Sequence, residues 1–242
     1  MSKLAPISQA VILAAGKGTR MQFLTKTTPK PMLLVHNKPL LAHTIEKLPK
    51  QISEVILVIG YLGEKIKEHF GNEYKGKSIK YVIQKEILGT GHALSICQKL
   101  LNERFLVING DDVYDKKDIK KSMKYERAIL VKEVNSEFLK GDVFGAMQTD
   151  KDGYFTGIKL EKLNPGNIGF FNTALYILDK HFFEFDLVKI KEGNEYGLPH
   201  TVVSMYPKYP VKLIKTKNWL PISNIEELEK ARVLVKNKKI RK

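Results

Sequence analysis

The sequence has one cysteine, one tryptophan and no long apolar run. Cys97 stands in HALSICQKLL, where apolar residues recur at helical spacing. It reads as a buried core thiol, because no helix start or fixed cation adjoins it to make a nucleophile. A single cysteine makes no intrachain disulfide, which fits a reducing compartment. No stretch reaches bilayer-spanning length, and the apolar run in MSKLAPISQAVILAAG is too short for a signal peptide. The expected location is the cytoplasm. The six histidines show no H-x-x-x-H or Cys/His ligand spacing, which excludes the common zinc sites. No G-x-S-x-G elbow is present, so covalent catalysis has no candidate nucleophile. Internal repeats, low-complexity blocks and long linkers are also missing, and the 242 residues read as one domain.

Positive charge is in excess. Lys and Arg number 41 against 26 Asp and Glu, a formal charge of +15. Such a balance suits an anionic partner: nucleic acid, an acidic membrane or a phosphorylated small molecule. Part of it is concentrated in the tail KNKKIRK, with Lys236, Lys238, Lys239, Arg241 and Lys242. No nucleic-acid reading module is recognisable, so neither nucleic acid nor membrane is the expected partner.

Val- and Ile-rich runs at Ala10–Ala15, Val55–Gly60, Ile79–Gln84, Phe105–Asn109 and Ala128–Lys132 read as strands. Amphipathic segments such as PLLAHTIEKL and GTGHALSICQKLL, between the first four, read as helices. Alternation of this kind predicts an α/β fold: a Rossmann-like, mostly parallel sheet flanked by helices. After about Val134, DVFGAMQTD and YFTGIKLEKL flank the turn KDG, which predicts a small antiparallel excursion. GFFNTALYILD and PVKLIKT read as further strands. SNIEELEKARVLVKN reads as a terminal helix capped by Ser223 or Asn224. In parallel sheets the ligand crevice lies beyond the carboxyl ends of the strands. GKGTRM, the Lys/Pro-rich loop after it, QKEILGTG and NGDD all sit at such ends and are expected to converge.

The segment AVILAAGKGTRMQFLTKTTPKPM carries the sharpest signal. A dinucleotide loop needs a third glycine where Met21 stands, and a Walker loop needs Lys-Ser/Thr where Thr19-Arg20 follow Gly18. What remains is a glycine-rich turn whose N–H groups can wrap phosphate. It is followed by the planar fork of Arg20 and by Lys30, held between Pro29 and Pro31.

LAAGKGTRM…T…PKPM closely resembles the signature of the sugar-1-phosphate nucleotidylyltransferases. The resemblance extends through Gln84, LGTGHAL, NGDD, VFGAM…EK, NTALY and W…EELEKA, and leans toward uridylyl and thymidylyl members. It implies condensation of a nucleoside triphosphate with a sugar 1-phosphate, releasing pyrophosphate, with Mg²⁺ as cofactor. The nucleotide-binding half would span about 1–134 and the sugar-binding half about 135–242. Arg20, Lys30 and Asp111 would be catalytic, with Asp111 binding Mg²⁺ and Asn224 a weaker second candidate. Ala14, Ala15, Gly16, Gly18, Thr19, Gln84, Gly89 and Thr90 would contact the nucleotide. Gly145, Glu161, Lys162, Asn172 and Thr173 would contact the sugar phosphate. Asp112 is read as a helix cap, and His92 as a packed or rim residue. A side-chain amide at Gln84 offers a donor and an acceptor to uracil or thymine, which favours UTP or dTTP.

The chain also departs from this pattern. Pro221 stands where many relatives carry a second metal-binding Asp, Ala174 replaces a glycine after NT, and GLPH replaces x-L-T-D. The acetylglucosamine-type relatives carry a further hexapeptide-repeat acetyltransferase domain, for which this length leaves no room. The alternatives are a cytidylyltransferase for a phosphorylated sugar or alcohol, and a nucleotide-binding regulatory homologue without turnover. The sequence allows a homo-oligomer and fixes no oligomeric state.

Overall fold

The apolar runs form the middle of an eight-stranded sheet. The structure, a computed structural model, describes residues 4–190 and 193–240. The side chains of 235–240, and so the basic tail singled out above, lie outside the described residues. In chain order the elements are β1 (Gln9–Ala14), β2 (Leu34–Val35), β3 (Lys38–Pro39), α1 (Leu40–Lys47), β4 (Glu54–Ile59), α2 (Gly63–Phe70), β5 (Glu73–Tyr74) and β6 (Lys77–Ile83). There follow α3 (Gly89–Ser95), β7 (Arg104–Asn109), α4 (Lys116–Ser122), β8 (Ala128–Val134), β9 (Phe144–Thr149) and β10 (Phe155–Glu161). The chain continues through β11 (Gly169–Asp179), α5 (Leu198–Val203), β12 (Lys212–Thr216) and α6 (Ile225–Ile240).

The sheet order is β12-β8-β11-β7-β1-β4-β6-β5. β1 runs parallel to β4 and β7, β4 to β6, and β8 to β12, while β11 is antiparallel to both β7 and β8. Both faces of the central strands are covered, which is why they read as continuous apolar runs rather than alternating ones. Ile12, Leu57 and Ile108 point into one core with Leu41, Ile45, Ile66 and Ile119 from α1, α2 and α4. Val11, Val58 and Val107 point into the other with Ala93, Leu94, Leu198 and Val202 from α3 and α5. Strands from both predicted halves share this one sheet.

β9 and β10 form the separate antiparallel pair expected around KDG. Helix α3 is shorter than expected: it ends at Ser95, and Gln98–Leu100 is a single tight turn. At the last helix, Asn224 Oδ1 accepts the Glu227 N–H at 2.9 Å and the Glu227 carboxylate accepts the Ser223 N–H at 2.5 Å. This reciprocal cap starts α6 above the loop that follows β1. Leu228 and Ala231 pack there on Met21, Leu33, Leu40 and Ile222. No helix of the described residues is long and apolar enough to cross a membrane.

Candidate active site

Parallel pairing places the carboxyl ends of β1, β4, β6 and β7 along one sheet edge. Beyond β1 the chain turns through Gly18, whose φ of +64° lies in the left-handed region that favours glycine. The Gly18 carbonyl accepts the Met21 N–H at 2.9 Å and the Thr25 hydroxyl at 3.0 Å, which closes the turn. A β-carbon at Gly18 would stand 2.9 Å from Lys30 Cβ, so the missing side chain is what lets Lys30 lie against the loop.

Lys30 opens a short turn, Lys30–Met32, fixed by the Met32 N–H on the Pro29 carbonyl at 2.8 Å. It is 8% exposed. Beyond β7, the Gly110 N–H donates to the Leu13 carbonyl at 3.0 Å and so brings Asp111 alongside the loop. Lys30 Nζ then lies 2.5 Å from Asp111 Oδ2. The pair sits in a cavity of about 190 Å³ also lined by Ala14, Gly16, Gly18, Arg20 and Ser223. Arg20 is exposed and makes no ion pair among the described residues, which leaves its fork free for an anion.

The cavity shares Arg20, Lys30, Asp111 and Ser223 with a larger cleft of about 770 Å³. Asn172 and Ala174 from β11, Lys132 from β8, and Trp219, Pro221 and Asn224 line its walls. Strand β11 bulges between Asn172 and Leu175. Asn172 Oδ1 takes the Ala174 N–H at 2.9 Å, and Asn172 Nδ2 donates to the Tyr176 hydroxyl at 2.5 Å. Ala174 has φ +56°, the conformation for which the glycine of the resembling sequences is suited.

Asp112 is not a helix cap. The cap of α4 is Asp115, whose carboxylate accepts the Lys117 N–H at 2.8 Å. Asp112 turns inward instead, taking the Trp219 indole N–H at 3.3 Å and the Ile222 N–H at 3.1 Å. Burial pushes its carboxyl up to about 7, the neighbouring Asp111 adds to the rise, and Lys30 and the two N–H donors oppose it. Each oxygen accepts an N–H of the segment 219–222, which fixes the carboxylate against that segment.

The other sequence candidates are dispersed. Thr173 is fully buried and its hydroxyl donates to the Leu130 carbonyl at 2.7 Å. Gly145 and Glu161 lie on the β9–β10 pair and Lys162 is exposed just beyond it, all outside the two clefts. Ala15 is buried, with its carbonyl on the Tyr61 N–H at 3.2 Å. Thr19 is exposed at the start of the turn. The QKEILGTG segment shares the sheet edge without lining the cavity. There Gln84 is buried, and its Nε2 reaches the Gly89 carbonyl and His92 Nδ1, each at 3.1 Å. Gly89 has φ +88°, and a β-carbon there would come 2.6 Å from the Tyr196 carbonyl. The Thr90 hydroxyl accepts the Leu198 N–H at 3.0 Å and so caps α5. Cys97 is fully buried, and burial pushes its thiol up to about 12. Among the described residues no three His, Cys, Asp or Glu cluster as a metal cage.

Sequence reasoning missed Lys132, which reads only as the polar end of a strand; Ser223, the alternative to Asn224 as an oxygen donor near the metal, does line the cavity. The doublet NGDD signals two carboxylates without showing which one turns inward.

The nucleotidyl transferase family profile matches residues 9–237. A bifunctional protein GlmU from Methanocaldococcus jannaschii is 35% identical over 211 residues, covering 87% of this chain and 50% of that protein. A D-glycero-α-D-manno-heptose 1-phosphate guanylyltransferase from Campylobacter jejuni is 36% identical over 176 residues, covering 72% of this chain and 77% of that one. A crystal structure of a UDP-glucose pyrophosphorylase complexed with UDP-glucose superposes with a TM-score of 0.74 at 25% identity, covering 96% of this chain and 99% of that one. The chain spans about half the length of the bifunctional relatives it matches.

Proposed function

The chain belongs to the nucleotidyl transferase family, and on that premise we propose that it joins a nucleoside triphosphate to a sugar 1-phosphate, releasing pyrophosphate. The observation that carries this reading is the Lys30–Asp111 pair at 2.5 Å beside a glycine turn. The attacking phosphate oxygen is already ionised, so the reaction needs no general base. The work is to hold two repelling anions in line and to neutralise charge on the departing pyrophosphate.

In this mechanism Gly16 and Gly18 let the triphosphate approach the backbone, and Arg20 neutralises its phosphates. Lys30 leaves Asp111 and places its ammonium between the two substrates. Asp111, freed of Lys30, suits Mg²⁺, which is commonly held by one or two carboxylates together with substrate phosphates. When bound, the ion would neutralise phosphate charge. Asn224 is a weaker candidate, since its Oδ1 already accepts the Glu227 N–H.

We assign UTP or dTTP as the nucleotide. Gln84 Nε2 meets two acceptors within the protein, which leaves Oε1 as the free end of the amide. A lone acceptor complements the single N3–H of uracil or thymine. Guanine would bring two adjacent donors to one oxygen, and cytosine would meet it through N4–H₂ with its N3 lone pair left unpaired. The larger cleft, with Asn172 and Ala174, would take the sugar.

A matrix of nucleoside triphosphates and sugar 1-phosphates, incubated with Mg²⁺ and read by pyrophosphate release and product mass, tests both assignments. The expected product contains uridine or thymidine. A clear preference for GTP or CTP would overturn the base assignment and leave the reaction class standing. Lys30→Ala is expected to lower turnover by about 10²–10³-fold, the cost of removing one preorganised charge donor. Nucleotide binding with no pyrophosphate release from any pair would support the regulatory alternative that Pro221 in the cleft wall motivates.

A further inference from the structure

We propose that Asp112 is a positioning residue, a buried carboxylate that locks both walls of the sugar-facing cleft to the strand end carrying Asp111. The proposal rests on the sugar 1-phosphate reading above. Asp112 Oδ1 accepts the Ile222 N–H at 3.1 Å and Oδ2 accepts the Trp219 indole N–H at 3.3 Å, so one side chain holds the strap 219–222 at two points. The strap is held at a third point by the Val113–Leu220 backbone pair, with reciprocal N–H···O bonds of 3.0 Å. Tyr114 Oη lies 3.5 Å from Asp112 Oδ2 and donates to the Thr173 carbonyl at 2.8 Å, within the bulge whose flanking residues Asn172 and Ala174 line the cleft. Phe171 stacks on the Trp219 ring at 5.7 Å and joins strap to bulge directly. The peptide that carries Asp111 therefore also carries the anchor of the strap and, two residues on, the hydroxyl that holds the bulge. The cleft wall is set from the phosphate end, which lets a strap with Pro221 in place of a carboxylate keep a fixed position.

Trp219 is the only tryptophan, so its emission reports the strap alone. In Asp112→Asn, one of the two N–H donors faces an amide N–H₂ and loses its acceptor. The expected result is a shifted Trp219 emission with greater acrylamide quenching, while the fold is retained by far-UV circular dichroism. Steady-state kinetics with the pair selected by the substrate matrix should show the sugar 1-phosphate KM raised about tenfold or more by the misplaced wall. The nucleotide KM should stay within about twofold, because the glycine turn is untouched. Tyr114→Phe frees the bulge while both Asp112 oxygens keep their N–H donors from the strap, and should raise the sugar 1-phosphate KM with a smaller emission shift than Asp112→Asn. If Asp112→Asn leaves emission and both KM values unchanged, or raises the two KM values equally, the proposal is overturned. The emission readout needs no turnover, so failure of the proposed reaction would be told apart from failure of the strap.

Discussion

Gly18→Ala puts the loop argument under quantitative strain. The new β-carbon would lie 2.9 Å from Lys30 Cβ and 3.2 Å from Thr25 Cγ2, at a φ of +64°. Left-handed geometry costs a non-glycine residue roughly 1–2 kcal/mol. Overpacking against a β-carbon adds about 1–3 kcal/mol, since Lys30 Cβ is fixed between prolines and has no rotamer to escape into. The stiffer unfolded chain returns about 0.4–1 kcal/mol. The balance is a loss of about 2–3 kcal/mol, or on the order of 5–10 °C in Tm for a chain of this size. Gly16→Ala is the control, because its β-carbon would meet nothing within 4 Å and its φ is not positive. It should stay within about 0.5 kcal/mol of the parent. Urea unfolding followed by circular dichroism measures both. Equal stability of the two variants would refute the claim that Gly18 exists to admit Lys30.

Three other outcomes follow from buried groups. Asp179→Ala removes the buried partner of Arg127, whose side chain is only 7% exposed, and leaves it the exposed Glu126 carboxylate at 3.0 Å; the loss should be about 2–4 kcal/mol, somewhat below that of a fully broken buried pair, and a loss under about 1 kcal/mol in urea titration would contradict the buried pair. Cys97, its thiol pushed up to about 12, should resist a disulfide reagent in the native protein at pH 8 and react once per chain after unfolding. His43 is held below its ordinary value chiefly by burial, against a hydrogen bond to the Val35 carbonyl. Its contribution to stability is full above the unfolded value of about 6.5 and is lost as pH falls through the lower folded value, because the unfolded chain then binds the extra proton. The Tm of His43→Gln should therefore fall less between pH 7 and 5 than that of the parent, and an identical slope would rule the effect out.

The central strands were legible because burial on both faces leaves a mark on every residue. The runs read from Ala10, Val55, Ile79 and Phe105 begin within two residues of the observed strands. Helices α2, α4 and α5 were not singled out. In α4, KKDIKKS, only Ile119 and Ser122 are buried, so tertiary packing of a short stripe decides the helix rather than any strong local period. The overlong reading of α3 has the converse cause. Its apolar spacing persists to Leu101, while the backbone tightens after Ser95 into the turn at Gln98–Leu100.

Within the candidate site, the legible residues owe their places to the local chain. Gly18, Pro29 and Pro31 constrain their own backbone, so a sequence can show that a lysine held between prolines sits near a glycine turn. Residues whose polar groups are claimed by distant partners could not be read this way. Thr173 gives its hydroxyl to Leu130, Thr90 accepts from Leu198, and Asp112 is tied to Trp219, which is 107 positions away. A group bonded to fixed parts of the fold is less free to meet a ligand than one that is unpaired or paired with another mobile charge. By that criterion Arg20 and the Lys30–Asp111 pair stand apart from the other candidates. Arg20 has no partner among the described residues, and the pair holds two charges that an incoming phosphate and cation can exchange one for one.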